Sequence, residues 1–196
     1  MSEFTNLFTA FYSQFILRDF FCKIIPGFLL IMSIAVSLTS LTETNHYLNS
    51  MSGWMWALAG GVSWIGGFVI QSCGEMFGAI RYFPKDLNRK QFCEKLVRFD
   101  QLSDSIPIQQ RRFERLVVIQ EACGNCYFGL IIASIILLAN YLCNKNQDIG
   151  IEGFRFILII VVIIFSIIFL LRMHFKHVER QSLFLDAFLD HFKDTK

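Results

Sequence analysis

Cys123-x-x-Cys126 has the spacing used in thiol–disulfide exchange, and it is the first place to look for chemistry. Arg172 and His177 stand five apart, a cation and an acid–base group of the types that could act on an RNA phosphate, though the spacing is short and common by chance. His174 and His177, three apart on a helix, could share a metal ion, but no third ligand lies beside them in sequence. Neither a metal-binding Glu-His pattern nor a nucleophile–base pair nor a phosphate loop accompanies these residues. The expectation is therefore a non-enzymatic chain with no catalytic residue, no cofactor and no metal.

A second set of polar residues lies in apolar surroundings, where each must be paired or face water. Gln71 and Glu75 are four apart, hence on one helical face. Glu121 and Asn125 repeat that spacing, and Arg115 precedes Glu121 by nearly two turns. We expect these five to form one polar cluster between two helices, with Glu75 meeting Arg115 or Asn125. A structural clamp is the plain reading; a proton or ion path is the sharper one. Ser33, Ser37 and Ser40 form a hydroxyl stripe on another helix. Such hydroxyls bond back to a helix more often than they line a pore.

Four long apolar runs must carry these residues. The chain has 196 residues, 54% of them hydrophobic and 17% charged, and the charges are almost absent from the runs. Phe is used 22 times, which suits lipid as well as a core. The runs cover 26–42, 53–73 (with apolar character continuing to Phe83), 124–143 and 154–171. A run of 18 residues spans about 27 Å as a helix, close to the hydrocarbon thickness. The fold class is an all-α membrane protein with four transmembrane helices, a soluble enzyme domain and a disordered chain being excluded. Of the 18 Lys and Arg residues, sixteen fall before the first span, in the 81–115 connection or after the fourth span; only Lys145 and Arg155 fall elsewhere. That asymmetry predicts both termini and the long connection in the cytoplasm and two short outer loops. Cys123 and Cys126 then sit at the cytoplasmic end of the third span, where thiols stay reduced, so a structural role is expected for them.

The remaining segments read as helices. Phe4, Phe8, Phe11 and Phe15 fall on one face, so residues 1–23 read as an amphipathic helix lying in the interface or packed on its neighbours, ended by Pro26. No cleaved signal peptide is evident. The first two spans fill 24–83. The 84–123 connection carries Phe92, Leu96 and Phe99 on one helix, and Asp104-Ser105-Ile106-Pro107 starts another that should run unbroken into the third span. The last two spans fill 124–172. Phe184, Phe188 and Phe192 extend the fourth span into a helical tail over 173–196.

Gly53, Gly60, Gly67 and Gly74 recur every seven residues along the second span, with Gly78 four further on. A seven-residue glycine repeat suits one seam of close helix packing, and Gly129, four before Ala133 on the third span, is its expected counterpart. Residues 81–120 hold nine basic and five acidic residues. Arg89, Lys90, Arg111 and Arg112 are the cations expected to face anionic headgroups or a partner; no direct nucleic-acid contact is expected.

Arg18-Asp19 ahead of Pro26-Gly27, Gly66-Gly67 ahead of Gln71 and Glu75, and Arg115, Glu121 and Asn125 leading into the third span form a pattern. With four spans and short outer loops, it resembles the small membrane proteins of bacterial anti-phage systems, most closely the membrane subunit of the Kiwa defence system. The small membrane proteins that accompany RNA-targeting CRISPR effectors are a second likeness. The resemblance implies a homo-oligomer, with a tetramer as one candidate state, in the bacterial inner membrane, working with a cytosolic DNA-binding effector. The leading expectation is a sensor and anchor that recruits that effector through residues 84–123 and 173–196. The alternative is a gated pore that disrupts the membrane potential.

Overall fold

A computed structural model describes residues 17–84, 87–103, 106–143 and 153–193. The Phe4–Phe15 face lies outside the described residues. Every regular element among the described residues is helical. A short helix α1 (Leu17–Asp19) leads through a π-helical stretch (Phe20–Ile24) into α2 (Ile25–Leu38). Then come α3 (Leu41–Ser50), α4 (Gly53–Met76), α5 (Arg89–Ser103), α6 (Pro107–Cys143) and α7 (Gly153–Lys193). Four helices are long and apolar enough to cross a membrane: Phe20–Leu38, Gly53–Met76, Ile108–Cys143 and Ile159–Phe192. The chain is an all-α, multi-pass membrane protein.

Both long helices expected from the sequence are present. No breaker interrupts α6 from Pro107 to Cys143, and the fourth span continues as one helix to Lys193. Within the membrane, α2 packs against α4 and α6, which also touch each other, and α7 lies along α6. Beyond the spans, α5, the first half of α6 and the second half of α7 close into a three-helix bundle. Its core is Phe92, Phe99, Phe113, Leu185 and Phe188. The Phe99 ring centre lies 5.0 Å from that of Phe113 and 4.8 Å from that of Phe188. Aromatic pairs at such distances add about 0.5–1.5 kcal/mol each beyond their buried area. A Lys95–Asp186 ion pair clips α5 to α7 outside this core.

Three boundaries differ from expectation, each for a local reason. The first connection is helical rather than a plain loop. Ser40 Oγ accepts the Glu43 N–H at 3.1 Å, the cap that a Ser-x-x-Glu sequence provides, so α3 starts at Leu41 and the first span stops at Leu38. The second span stops at Met76 instead of running on to Phe83. Gly78 takes φ +65° and Ala79 N–H returns to the Gly74 carbonyl at 2.8 Å, which is a glycine helix stop. Finally, Pro26 does sit in the first turn of α2, but the helix before it is continuous with the span rather than separate from it.

Candidate functional site: a polar girdle where the spans meet the bundle

Pro26 is the origin of the first half of the girdle. It has no N–H, so the Cys22 carbonyl four residues back receives no helical hydrogen bond. The π-helical stretch sends the Ile25 N–H to Phe20, which leaves the Phe21 carbonyl without its helical donor too. The third span supplies the missing donors. Asn125 Nδ2 donates to the Cys22 carbonyl at 2.7 Å, and Cys126 Sγ approaches the Phe21 carbonyl at 3.7 Å. One turn earlier on α6, Glu121 accepts two hydrogen bonds from Arg18, Nε–Oε2 at 2.9 Å and Nη2–Oε1 at 2.8 Å. This fork holds the Arg18 guanidinium above its already high ordinary pKa, chiefly through the hydrogen bond to Glu121. Cys22 Sγ adds a weak contact to the Val118 carbonyl at 3.5 Å.

The second half fastens the segment that follows the second span. Tyr127 OH donates to the Ala79 carbonyl, and Gln120 Nε2 donates to the Arg81 carbonyl. The Arg81 N–H donates to His174 Nε2 at 3.2 Å, while His174 Nδ1 lies 3.0 Å from the Gln120 carbonyl. A carbonyl can only accept, so Nδ1 carries the proton and the ring is the neutral Nδ1–H tautomer. Gln181 Nε2 donates to Gln120 Oε1 at 2.7 Å and ties α7 into the same chain of bonds. Gly124 leaves the room: a Cβ there would stand 2.9 Å from His174 Nδ1.

The expected five-residue cluster divides accordingly. Glu121 and Asn125 are buried and bonded, but to Arg18 just ahead of the first span and to Cys22 within it, and not to the second span. Glu75 does not meet Arg115 or Asn125. The turn at Gly78 brings Tyr82 back, and its OH donates to Glu75 Oε1 at 2.6 Å while Gln71 Nε2 reaches both, at 3.1 and 2.8 Å. Burial, and then the bond to Glu75, push the Tyr82 phenol above its usual range. Arg115 is exposed on α6 and outside the girdle.

The glycine seam is also divided. Gly67 is buried against the Lys23 backbone, and a Cβ on Gly74 would meet the Ile80 side chain and stand 3.2 Å from Phe128. Gly53 and Gly60 face open space in the single chain, and Gly78 serves the helix stop rather than packing. Gly129 does receive a neighbour, but it is Pro26 of the first span, 3.2 Å from where a Cβ would stand, with Ile70 of α4 at 3.4 Å. Gly27, named in sequence only within a motif pattern and not as a packing glycine, makes the tightest approach, against Ser63 and Gly67. Arg89, Lys90, Arg111 and Arg112 are all exposed.

The chemistry-bearing spacings are placed as follows. All six cysteines are free thiols. Arg172 is exposed while His177 is buried, so the two point to different faces of α7. Among the described residues no cluster of three metal-ligating side chains is present. His174 uses both ring nitrogens in hydrogen bonds, and His177 Nδ1 is buried without a partner. Gln120, Tyr127 and Gln181 were the girdle members that sequence reasoning passed over, while Arg18 entered only within a motif pattern and His174 only as a candidate metal ligand. One signal was available: Pro26 marks the Cys22 carbonyl as needing a donor. Another was the face shared by His174, Gln181, Leu185 and Phe188, a polar continuation of an apolar stripe.

His174→Phe keeps the ring and removes both bonds. It leaves the Arg81 N–H and the Gln120 carbonyl unmet, at about 1–3 kcal/mol each. The expected result is a loosened 78–82 segment, read as faster limited tryptic cleavage after Arg81. Unchanged cleavage would show that this segment is held by other contacts.

No protein-family model, no curated protein and no solved structure matches this chain.

Proposed function

We propose that the chain is a non-enzymatic sensor and anchor in a bacterial inner (plasma) membrane, with both termini cytoplasmic. It acts as a homo-oligomer that passes a signal to a cytosolic, DNA-binding effector, in the anti-phage role that its motif pattern implies. One observation carries this reading. Two of the four spans run without a break into the three-helix bundle, and the girdle fastens the other two spans to them. A tilt or displacement of the spans must therefore move the bundle. The aromatic faces of α5 and α7 are consumed inside the bundle, so the effector contact falls to the exposed cations Arg89, Lys90, Arg111 and Arg112.

A gated pore is the competing reading. Of the hydroxyl stripe, Ser33 Oγ bonds back to the Leu30 carbonyl, Ser40 Oγ caps α3 and Ser37 Oγ is buried without a partner among the described residues. Ser134 and Ser166 also bond back to their own helices, which favours the anchor over a polar pore lining. The test is direct. The full chain in planar bilayers should show no conductance, while a cytosolic DNA-binding protein should co-purify with it from cells and should be lost with Arg111→Glu/Arg112→Glu. Conductance without effector capture would replace the anchor with the pore.

Orientation has its own test. A cysteine at Asn49 should react with an impermeant thiol reagent in intact cells, and one at Asn88 should not. The reverse pattern would overturn the cytoplasmic placement of the bundle.

A further inference from the structure

We propose that α7 carries a binding site for an anionic phospholipid where the fourth span joins the bundle, centred on Arg172 and Lys176. The site goes beyond the sensor reading and stands independently of it, because it depends only on how this helix leaves the membrane.

Positions 172, 176 and 180 repeat every four residues and form one stripe along the helix. All three side chains are exposed, and among the described residues none of them is in an ion pair. The other side of the same two turns is taken by His174, His177, Val178 and Gln181, all buried, with Gln181 bonded to Gln120 of α6 and His174 bonded to Gln120 and Arg81. The stripe therefore faces away from the protein and is free to meet a ligand.

What it meets follows from the stripe one turn earlier. Phe165 and Phe169 are 69% and 64% exposed, and they continue the same face towards the middle of the span. Reading outward, this surface is apolar over Phe165 and Phe169 and cationic over Arg172 and Lys176. That is the polarity of a lipid standing beside the helix, with acyl chains against the phenylalanines and phosphate against the cations. The depth also fits. Lys176 lies about 6 Å further along the axis than Arg172, and the headgroup zone is about 5–7 Å thick on each side of the hydrocarbon. Arg172 supplies the planar fork that takes two phosphate oxygens, and Lys176 supplies a second point charge.

One group opposes the anion. Glu179 is exposed on the same face, but it stands seven residues, about 10 Å, beyond Arg172, outside the headgroup zone and in water. The net charge of the stripe remains positive. A soluble anion would gain the cations but nothing from Phe165 and Phe169, so the surface suits a lipid phosphate over a free one.

The experiment is native mass spectrometry of the detergent-extracted full chain, titrated with phosphatidylglycerol or phosphatidylcholine. The parent should retain phosphatidylglycerol and not phosphatidylcholine. Arg172→Gln/Lys176→Gln should weaken phosphatidylglycerol binding roughly 30-fold, the ratio that corresponds to about 1 kcal/mol for each removed charge. Arg89→Gln/Lys90→Gln, which removes the same charge from α5, should change it less than about threefold. Should the first variant not extract as a single species, Lys176→Gln alone should show a loss of about fivefold. Three results would overturn the proposal: equal binding of both lipids by the parent, equal losses in the two double variants, or displacement of the lipid by inorganic phosphate at matched concentration. The second would mean a diffuse field with no site, and the third a soluble-anion site.

Discussion

Gly67→Ala and Gly27→Ala should each prevent the first two spans from packing, at a cost upwards of about 3 kcal/mol. A Cβ on Gly67 would collide with the Lys23 carbonyl oxygen and stand 2.6 Å from the Lys23 carbonyl carbon. A Cβ on Gly27 would collide with the Ser63 carbonyl oxygen and stand 2.6 Å from the Gly67 nitrogen. Every atom met is backbone, so no side chain can rotate away. Relief requires moving one helix, which also separates Pro26 from Gly129. Overpacking a core with side chains around it costs about 1–3 kcal/mol, and backbone against backbone belongs at or above the top of that range. Helices in lipid depend on such close approach because no hydrophobic effect drives them together. Gly60→Ala is the control. Nothing lies within 4 Å of its Cβ position, and alanine is the better helix former by about 1 kcal/mol. Thermal unfolding of the detergent-extracted chain should show the first two variants lost or strongly destabilised and the third equal to the parent or better. A Gly67→Ala variant that melts with the parent would end the close-packing account. A Gly60→Ala variant that unfolds as badly would place the seam at the outer half of the span.

Much of this architecture was legible in the sequence, and the limits have physical causes. The spans are legible because hydrocarbon tolerates few charges over some twenty residues. The continuity of α6 and α7 is legible because nothing from Pro107 to Cys143, or from Gly153 to Lys193, breaks a helix. The phenylalanine stripes of α5 and α7 announce buried faces. A stripe does not say what buries it, and here the answer is the other stripes of the same chain rather than an outside partner. The polar pairs were harder. Spacing of four assigns Glu75 and Gln71 to one face, but their partner depends on the turn at Gly78, where a positive φ sends the chain back and delivers Tyr82. Gly78 was legible as a glycine and not as a stop, since a repeat of glycines looks alike whether each removes a side chain or bends the backbone. Residues 103 apart, Asn125 and Cys22, could not be paired by spacing at all. Only the missing N–H of Pro26 pointed to one side of that bond.

Removing Arg18 should harm the fold far more than removing Glu121, and removing both should restore most of the loss. The two side chains form one forked ion pair, but they are not equally placed: the Arg18 side chain is 48% exposed and that of Glu121 is 9% exposed. Glu121→Gln leaves a guanidinium that can turn to water or headgroups, so the expected cost is about 1 kcal/mol. Arg18→Gln leaves a carboxylate enclosed at the end of the third span without its counter-charge. Breaking a buried pair in that way costs about 3–5 kcal/mol. The double variant Arg18→Gln/Glu121→Gln replaces both ions with amides that can still bond each other, and it should melt close to Glu121→Gln alone. The ordering identifies the cause. A positional role for Arg18, such as holding the helix before Pro26 against α6, would leave the double variant as unstable as Arg18→Gln. A pair that is merely a surface contact would make the two single variants alike. The measurement is thermal unfolding of all four proteins in one detergent at neutral pH and low salt, repeated at high salt. Salt should narrow the gap only slightly, because Glu121 is shielded by α6 and the helix it clasps. If Arg18→Gln is no worse than Glu121→Gln, the ion pair contributes nothing to the girdle. The contact between the first and third spans then rests on Asn125, Cys126 and the seat of Pro26 against Gly129.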